Sequence, residues 1–336
     1  MSRYRMLNRG VYIALVLVLF AVTGCGRPRQ VADQPLPGRE IVFQADASRY
    51  SHDRRIGFIN ADGGGLDYVE ITGNATSAVT EPAWTPDGQL LLFYDRYTRQ
   101  LVGITESGTL REYGFSFLRV APLTQEVRAV LAMAYDRERV QIALFDLETD
   151  EVLRTFVIQE DDHPNIGTHA MAGSTLVYHR WQQVGKAPQQ IVSEIVALDI
   201  DSGTERVLVR KEGRHVDLQS PAISPDGQWV AYTAVDGLYL IRPDGTDQRR
   251  VLALDMLRDR YGGGTLVWGD PPPAVSWSPD SRWLLYHRCM LPNPQECRSV
   301  ETYGIYKLNL ETFEEELLLE GGLNPYWRLA PSGEAD

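Results

Sequence analysis

The residues best equipped for chemistry are a cysteine pair, three repeated aspartates and a set of polar residues that follow apolar runs. Cys289 and Cys297 have seven residues between them. That spacing suits a disulfide, and suits a metal less, because no His or third Cys stands at ligand spacing. Asp87, Asp226 and Asp280 recur in the run Ser or Thr, Pro, Asp, Gly or Ser. Proline there fixes φ, aspartate bonds the backbone ahead of it and glycine tolerates positive φ, so the pattern is turn chemistry before ligand chemistry. The stretch from Asp199 through Asp201 to Glu205 has the outline of a calcium loop, but it offers too few oxygens. No Gly-x-Ser-x-Gly, His-Glu-x-x-His or Gly-x-x-x-x-Gly-Lys run occurs. Gly262, Gly263 and Gly264 lack the strand-to-helix setting of a phosphate cradle and read as a turn. The expectation is a chain with no catalytic residue, no metal and no cofactor.

The elements that would position these groups begin after the N-terminus. Arg3, Arg5 and Arg9 precede an apolar run from Val11 to Val22, too short for a comfortable membrane-spanning helix. Val22-Thr23-Gly24-Cys25 follows at once, and this ending resembles the lipobox of bacterial lipoproteins. The resemblance implies a leader over 1–24, a lipid on Cys25 and anchorage to the cell membrane or outer membrane, with the folded body in the periplasm or at the cell surface. Residues 25–38 contain three prolines and little to bury, and read as a flexible tether. An exported chain meets an oxidising compartment, which favours the disulfide for Cys289 and Cys297. Without the leader the chain holds 30 bases against 45 acids. So acidic a body disfavours nucleic acid as a partner.

Periodicity predicts the fold. Pro82 to Phe93, Pro221 to Tyr232 and Val275 to Tyr286 share one pattern of strand, tight turn and strand. A second hairpin pattern recurs six times, around Asp62, Ser107, Glu148, Ser202, Asp244 and Glu311, mostly at the spacing of a four-stranded propeller blade. Trp84, Trp277 and Trp327 fall at matching positions, as packing between blades requires. Ile41 to Gln44 looks like a second strand without a first, and Asn324 to Trp327 like a first strand without a second. The two ends should complete one blade and leave no open edge. The expected fold is all-β: a six-bladed propeller of four-stranded antiparallel blades over 39–333, closed by its N- and C-terminal strands. The Pro-x-Trp-Ser/Thr-Pro-Asp-Gly pattern resembles the WD40-like repeats of the TolB propeller family. The resemblance covers Arg39 to Pro331 and implies that fold; it carries that family's partners poorly, since a leader and tether stand where the family has an α/β domain.

In such blades the short turns share one face, and the long loops 45–55, 180–192, 256–273 and 288–303 share the other. Long loops on a rigid scaffold are where binding residues concentrate. The expected binding face is therefore Arg49, Tyr50, His52, Tyr94, His179, Trp181, Lys186, Arg258, Arg260, Tyr261, Trp268, Asp270, His287 and Arg288, rich in the aromatic and cationic types of interface hot spots. Gln44, Tyr94, His179, Thr233 and His287 end successive second strands and either line the channel mouth or simply meet water there. These features point to a monomeric, non-catalytic module that binds a protein or a cell-envelope polymer. The alternative is a hydrolase or lactonase with a metal in the channel, as six-bladed propellers also host; it needs converging Asp, Glu, Asn or His side chains.

Overall fold

The computed structural model describes residues 35–45, 55–70, 79–85, 87–95, 100–116, 129–136, 139–149, 151–159, 165–184, 190–213, 218–253, 274–291, 297 and 299–329. Their strands form antiparallel sheets that follow one another along the chain. The first sheet joins β23 (Leu323–Trp327), β1 (Ile41–Gln44), β2 (Arg55–Ile59) and β3 (Asp67–Glu70). The second runs β4 (Val79–Trp84), β5 (Leu90–Asp95), β6 (Gln100–Thr105) and β7 (Leu110–Ser116). Next come β8 (Ala129–Asp136), β9 (Arg139–Asp146) and β10 (Glu151–Gln159), then β11 (Asn165–Ala172), β12 (Thr175–Val184), β13 (Gln190–Asp199) and β14 (Glu205–Gly213). The last two sheets are β15 (Leu218–Ile223), β16 (Val230–Ala234), β17 (Gly237–Ile241) and β18 (Arg249–Ala253), and β19 (Val275–Trp277), β20 (Trp283–Cys289), β21 (Tyr303–Asn309) and β22 (Glu315–Glu320).

The molecule is an all-β propeller, with one departure from expectation. Five sheets are four-stranded blades, not six. The sheet β8–β10 has three described strands, and the residues ahead of it, 117–128, lie outside the described set. Its sequence, like that of β11–β14, lacks the Pro-Asp-Gly/Ser first turn found in three other blades, so the repeat there rests on its second hairpin alone.

Burial explains the strand sequences. Second strands are covered on both faces by neighbouring blades, so β1 and β16 are buried at every residue and read as continuous runs. Fourth strands meet water, and β3 and β22 each bury a single residue. Between blades the contacts are aromatic and aliphatic. Trp84 packs with Val42, Phe58 and Phe93 between the first two sheets. Phe145 and Leu147 of the β8–β10 sheet meet Leu92, Leu101 and Tyr113 on one side. On the other, Ile142 and Leu144 meet Tyr178 and Val196. Trp277 also donates its indole N–H to the Ala222 carbonyl across a blade boundary, at 2.9 Å. Burying such a ring stabilises by a few kcal/mol, about 25 cal/mol per Å² of apolar surface.

The ring closes as the repeats predict. Ile41 pairs with Trp327 and Val42 with Tyr326, so one blade holds both chain ends. Proline sets the shape of the first strands: it has no N–H for the ladder, and the register slips beside Pro82, Pro221 and Pro325. Ser220 and Asn324, each just ahead of its proline, take left-handed φ values of 51° and 50°.

The body begins earlier than the tether reading allows. Leu36 is only 8% exposed, lies in the core between the first two sheets and donates its N–H to the Glu106 carbonyl at 2.8 Å. A leucine among prolines carries no periodic signal, so the sequence pattern alone sets the boundary after it.

Candidate functional site

Antiparallel order fixes the two faces. First turns (85–89, 224–229, 278–282) and third turns (60–66, 106–109, 200–204, 242–248, 310–314) lie at one end of the blades. The strand ends that lead into second turns and blade-to-blade connections, and so into the long loops, lie at the other. Arg49, Tyr50, His52, Lys186, Arg258, Arg260, Tyr261, Trp268 and Asp270 lie outside the described residues, as does Cys25, and for Tyr94 only the backbone is described. Trp181 is half-buried on β12 near the long-loop end, and Arg288 sits at the root of the disulfide loop.

The disulfide is present: Cys289 and Cys297 are bonded, with Cα atoms 5.9 Å apart. Cys297 packs with Val300, Tyr303 and Leu323, so it is seated on the closing strand β23.

The polar residues that end second strands are not a wet rim. Gln44, His179, Thr233 and His287 are 5%, 4%, 2% and 1% exposed. Neighbouring blades cover these strand ends, which a single repeat cannot reveal. Each is hydrogen-bonded inward. The His287 Nδ1 accepts the Asn324 N–H at 3.2 Å, and the Asn324 amide donates to Gln44 Oε1 at 2.9 Å. His179 Nε2 and Ser193 Oγ are 3.0 Å apart, and Ser193 accepts the Leu218 N–H of the following blade. Thr233 donates to the Gln219 carbonyl. His287 therefore fastens a second strand to the next blade directly and His179 does so through Ser193, and both leave the list of surface contacts.

The repeated aspartates are consumed by their turns. Asp226 Oδ1 accepts the Ser224 hydroxyl and the Gln228 N–H, while Ser224 Oγ accepts the Trp229 N–H. Asp280 with Ser278, and Asp87 with Thr85, repeat the arrangement. Asp199 Oδ1 is likewise taken by the Ser202 N–H and hydroxyl, a hairpin function in place of a cation ligand. These bonds hold the Asp199 carboxyl below the usual carboxylate range.

One set of interactions escaped the sequence reading. Tyr178, Tyr232 and Tyr286 recur at an interval of 54 residues. Tyr178 donates to Glu205 at 2.6 Å, and Arg180 bridges Glu205 and Glu194; Arg210 holds the other oxygen of Glu194. In the last sheet Tyr286 donates to Glu315, which also pairs with Arg288, whose guanidinium lies over the Tyr306 ring. The signal was the tyrosine with an arginine two residues on, in two of three repeats, plus a glutamate on the fourth strand. Burial, then the glutamate, pushes the Tyr178 and Tyr286 phenols far above their ordinary range. Burial works against the charge of Arg180, yet the bond to Glu194 leaves its pKa raised. These shifts favour the neutral phenol and the charged guanidinium, the forms that bond the glutamates and clamp the strands together. Among the described residues no group of three or more His, Cys, Asp or Glu stands where it could hold a metal.

No protein-family model matches the chain. Over 83 residues it is 32% identical to the uncharacterized protein Atu1656 of Agrobacterium fabrum, a match spanning 22% of this chain and 27% of that protein. Among solved structures it is similar to TolB from Acinetobacter baumannii, with a TM-score of 0.61 and 14% identity over 86% of this chain and 66% of that one. The likeness is one of fold. A putative TolB from Agrobacterium tumefaciens gives a TM-score of 0.53 at 15% identity, covering 84% and 90% of the two chains. A chain of a nidogen/laminin complex gives 0.57 at 9% identity, covering 87% and 98%. The chain thus spans about a quarter of the curated relative and just under two thirds of the Acinetobacter TolB. Among the described residues no helix is long and apolar enough to cross a membrane.

Proposed function

We propose that this chain is a non-catalytic binding module, a ring of six four-stranded blades tethered to a bilayer through lipid on Cys25, which engages a protein partner with its long-loop face. On this reading the third blade gains its innermost strand ahead of β8. The observation that carries the binding role is the use of the polar groups in the body: the aspartates of the turns, the buried histidines His179 and His287 and the tyrosine-glutamate clusters are hydrogen-bonded to the scaffold. A scaffold whose ionisable groups hold strands together leaves recognition to its loops. The likeness to TolB propellers and to a chain from a nidogen/laminin complex supports a protein partner at the level of fold.

The test is crosslinking in intact cells with the full-length chain, followed by pull-down, for wild type and for the double variant Trp181→Ala, Lys186→Ala. The expected result is a discrete protein captured by wild type and reduced at least several-fold in the variant. A stoichiometric divalent ion that survives dialysis, with hydrolysis of a lactone or ester by the purified chain, would overturn the binding reading in favour of an enzyme.

A further inference from the structure

Both ends of the described chain emerge on the same face, and that face is the one with short turns. Leu36 bonds the 106–109 turn through the Glu106 carbonyl. Glu40 accepts the Ala61 N–H in the 60–66 turn at 2.7 Å. At the other terminus Arg328 donates to the Gly88 carbonyl at 2.6 Å, pairs with the Glu106 carboxylate and lies over the Trp84 ring. From there β1 runs toward the opposite face, where Gln44 lies. The tether is thus attached to the short-turn side.

We infer that the ring is held with its short-turn face toward the bilayer and its long-loop face pointing away, so that the loops meet partners dissolved in the surrounding compartment. The inference rests on the proposed lipid at Cys25. Ten residues, and so eleven Cα–Cα steps, separate Cys25 from Leu36. Fully extended they reach at most about 40 Å, and as a coil they span on average only about 20 Å. The six-residue strands β5 and β6 alone put roughly 20 Å between the two faces. Turning the loops to the membrane would require the tether to cross the outer strands of a blade, each about 4.8 Å from the next, as well as that depth, a path well beyond its mean coil span and so costly in chain entropy. The short-turn face also carries exposed carboxylates at Asp62, Asp201, Asp226 and Asp244. These are repelled by anionic headgroups, so the body stands off the surface and does not lie flat on it.

The test uses the full-length lipidated chain reconstituted into vesicles of zwitterionic and anionic phospholipid bearing a headgroup quencher. Asp201→Cys and Val184→Cys, at opposite ends of the same blade and both exposed, each receive a fluorophore without reduction of the disulfide. The expected result is several-fold stronger quenching at position 201 than at 184, abolished when about twenty Gly/Ser residues are inserted after Ala32. Equal or inverted quenching in the chain of natural tether length overturns the orientation while leaving the anchor intact. If the lipidated chain fails to float with vesicles, or Cys25→Ser floats equally well, the anchor itself fails and the orientation with it.

Discussion

The closing blade and the blade of β15–β18 face the same geometric problem with different resources. Each starts with a strand broken by proline, and each puts the residue before that proline into left-handed backbone, Asn324 in one and Ser220 in the other. In β15–β18 the chain is continuous through all four strands, and among the described residues the buried Ser220 hydroxyl has no hydrogen-bond partner. In the closing blade the first strand is separated from the second by almost the whole sequence, and there Asn324 bonds both Gln44 and His287. Trp327 stands where the other blade has Ile223, and the disulfide loop is packed on Leu323. Where covalent continuity is missing, the same repeat position has been fitted with extra noncovalent bonds.

The largest expected effect comes from the aromatic of the closing strand. Trp327→Ala should lower the stability of the ring by about 3–5 kcal/mol, the usual loss for a buried tryptophan, read as a shift in urea midpoint. Trp327→Ile, which imports the residue of the continuous blade, should lose less. If the alanine variant loses under about 1 kcal/mol, the closing blade does not depend on that ring and the contrast between the blades collapses.

Next comes the disulfide. Replacing Cys289 and Cys297 together by serine should reduce stability by about 2.5 kcal/mol through the freed loop. Amide exchange should quicken in β23 and β1 before it quickens in β15 and β16. Uniform acceleration around the ring would mean that the loop does not favour the closing blade.

The smallest effect is the sharpest discriminator, because its sign differs between the two blades. Ser220→Gly removes a strained left-handed residue and a buried unbonded hydroxyl, and should raise stability by about 1 kcal/mol. Asn324→Gly relieves the same backbone but deletes the amide bond to Gln44, and should lower stability by about 1 kcal/mol. Thermal melts of the two variants that move in the same direction would show that the asparagine contributes nothing beyond its backbone.

Much of the fold could be read from residues that act locally. Ser224-Pro225-Asp226-Gly227 and its copies announce their turns because the bonds of the Ser/Thr hydroxyl and the Asp carboxylate that shape them span five residues or fewer. The closure was legible because Ile41 to Gln44 and Asn324 to Trp327 are complementary fragments of one pattern. The candidate site was less legible, for a physical reason. His179 and His287 look like surface residues in a one-dimensional repeat, yet blade packing buries them, and no feature within a single blade records what the next blade covers. Leu36 was missed in the same way: its burial depends on Glu106 and Trp84, dozens of residues downstream. The β8–β10 sheet has neither the proline turn nor the tryptophan, so nothing in its sequence ahead of β8 carries the local mark of the repeat.

Glu106 has a consequence for how the chain could be re-cut. Its carbonyl receives the N-terminal segment at Leu36 and its carboxylate receives Arg328 near the other end. The natural start and finish of the ring are therefore neighbours on one turn. A short peptide joining them, with new termini opened at the exposed Gly203 hairpin, yields a circular permutant whose first blade is covalently whole. In that permutant the burden of holding the ring shut moves to the blade of β11–β14, whose arginines and glutamates already bind its outer strand.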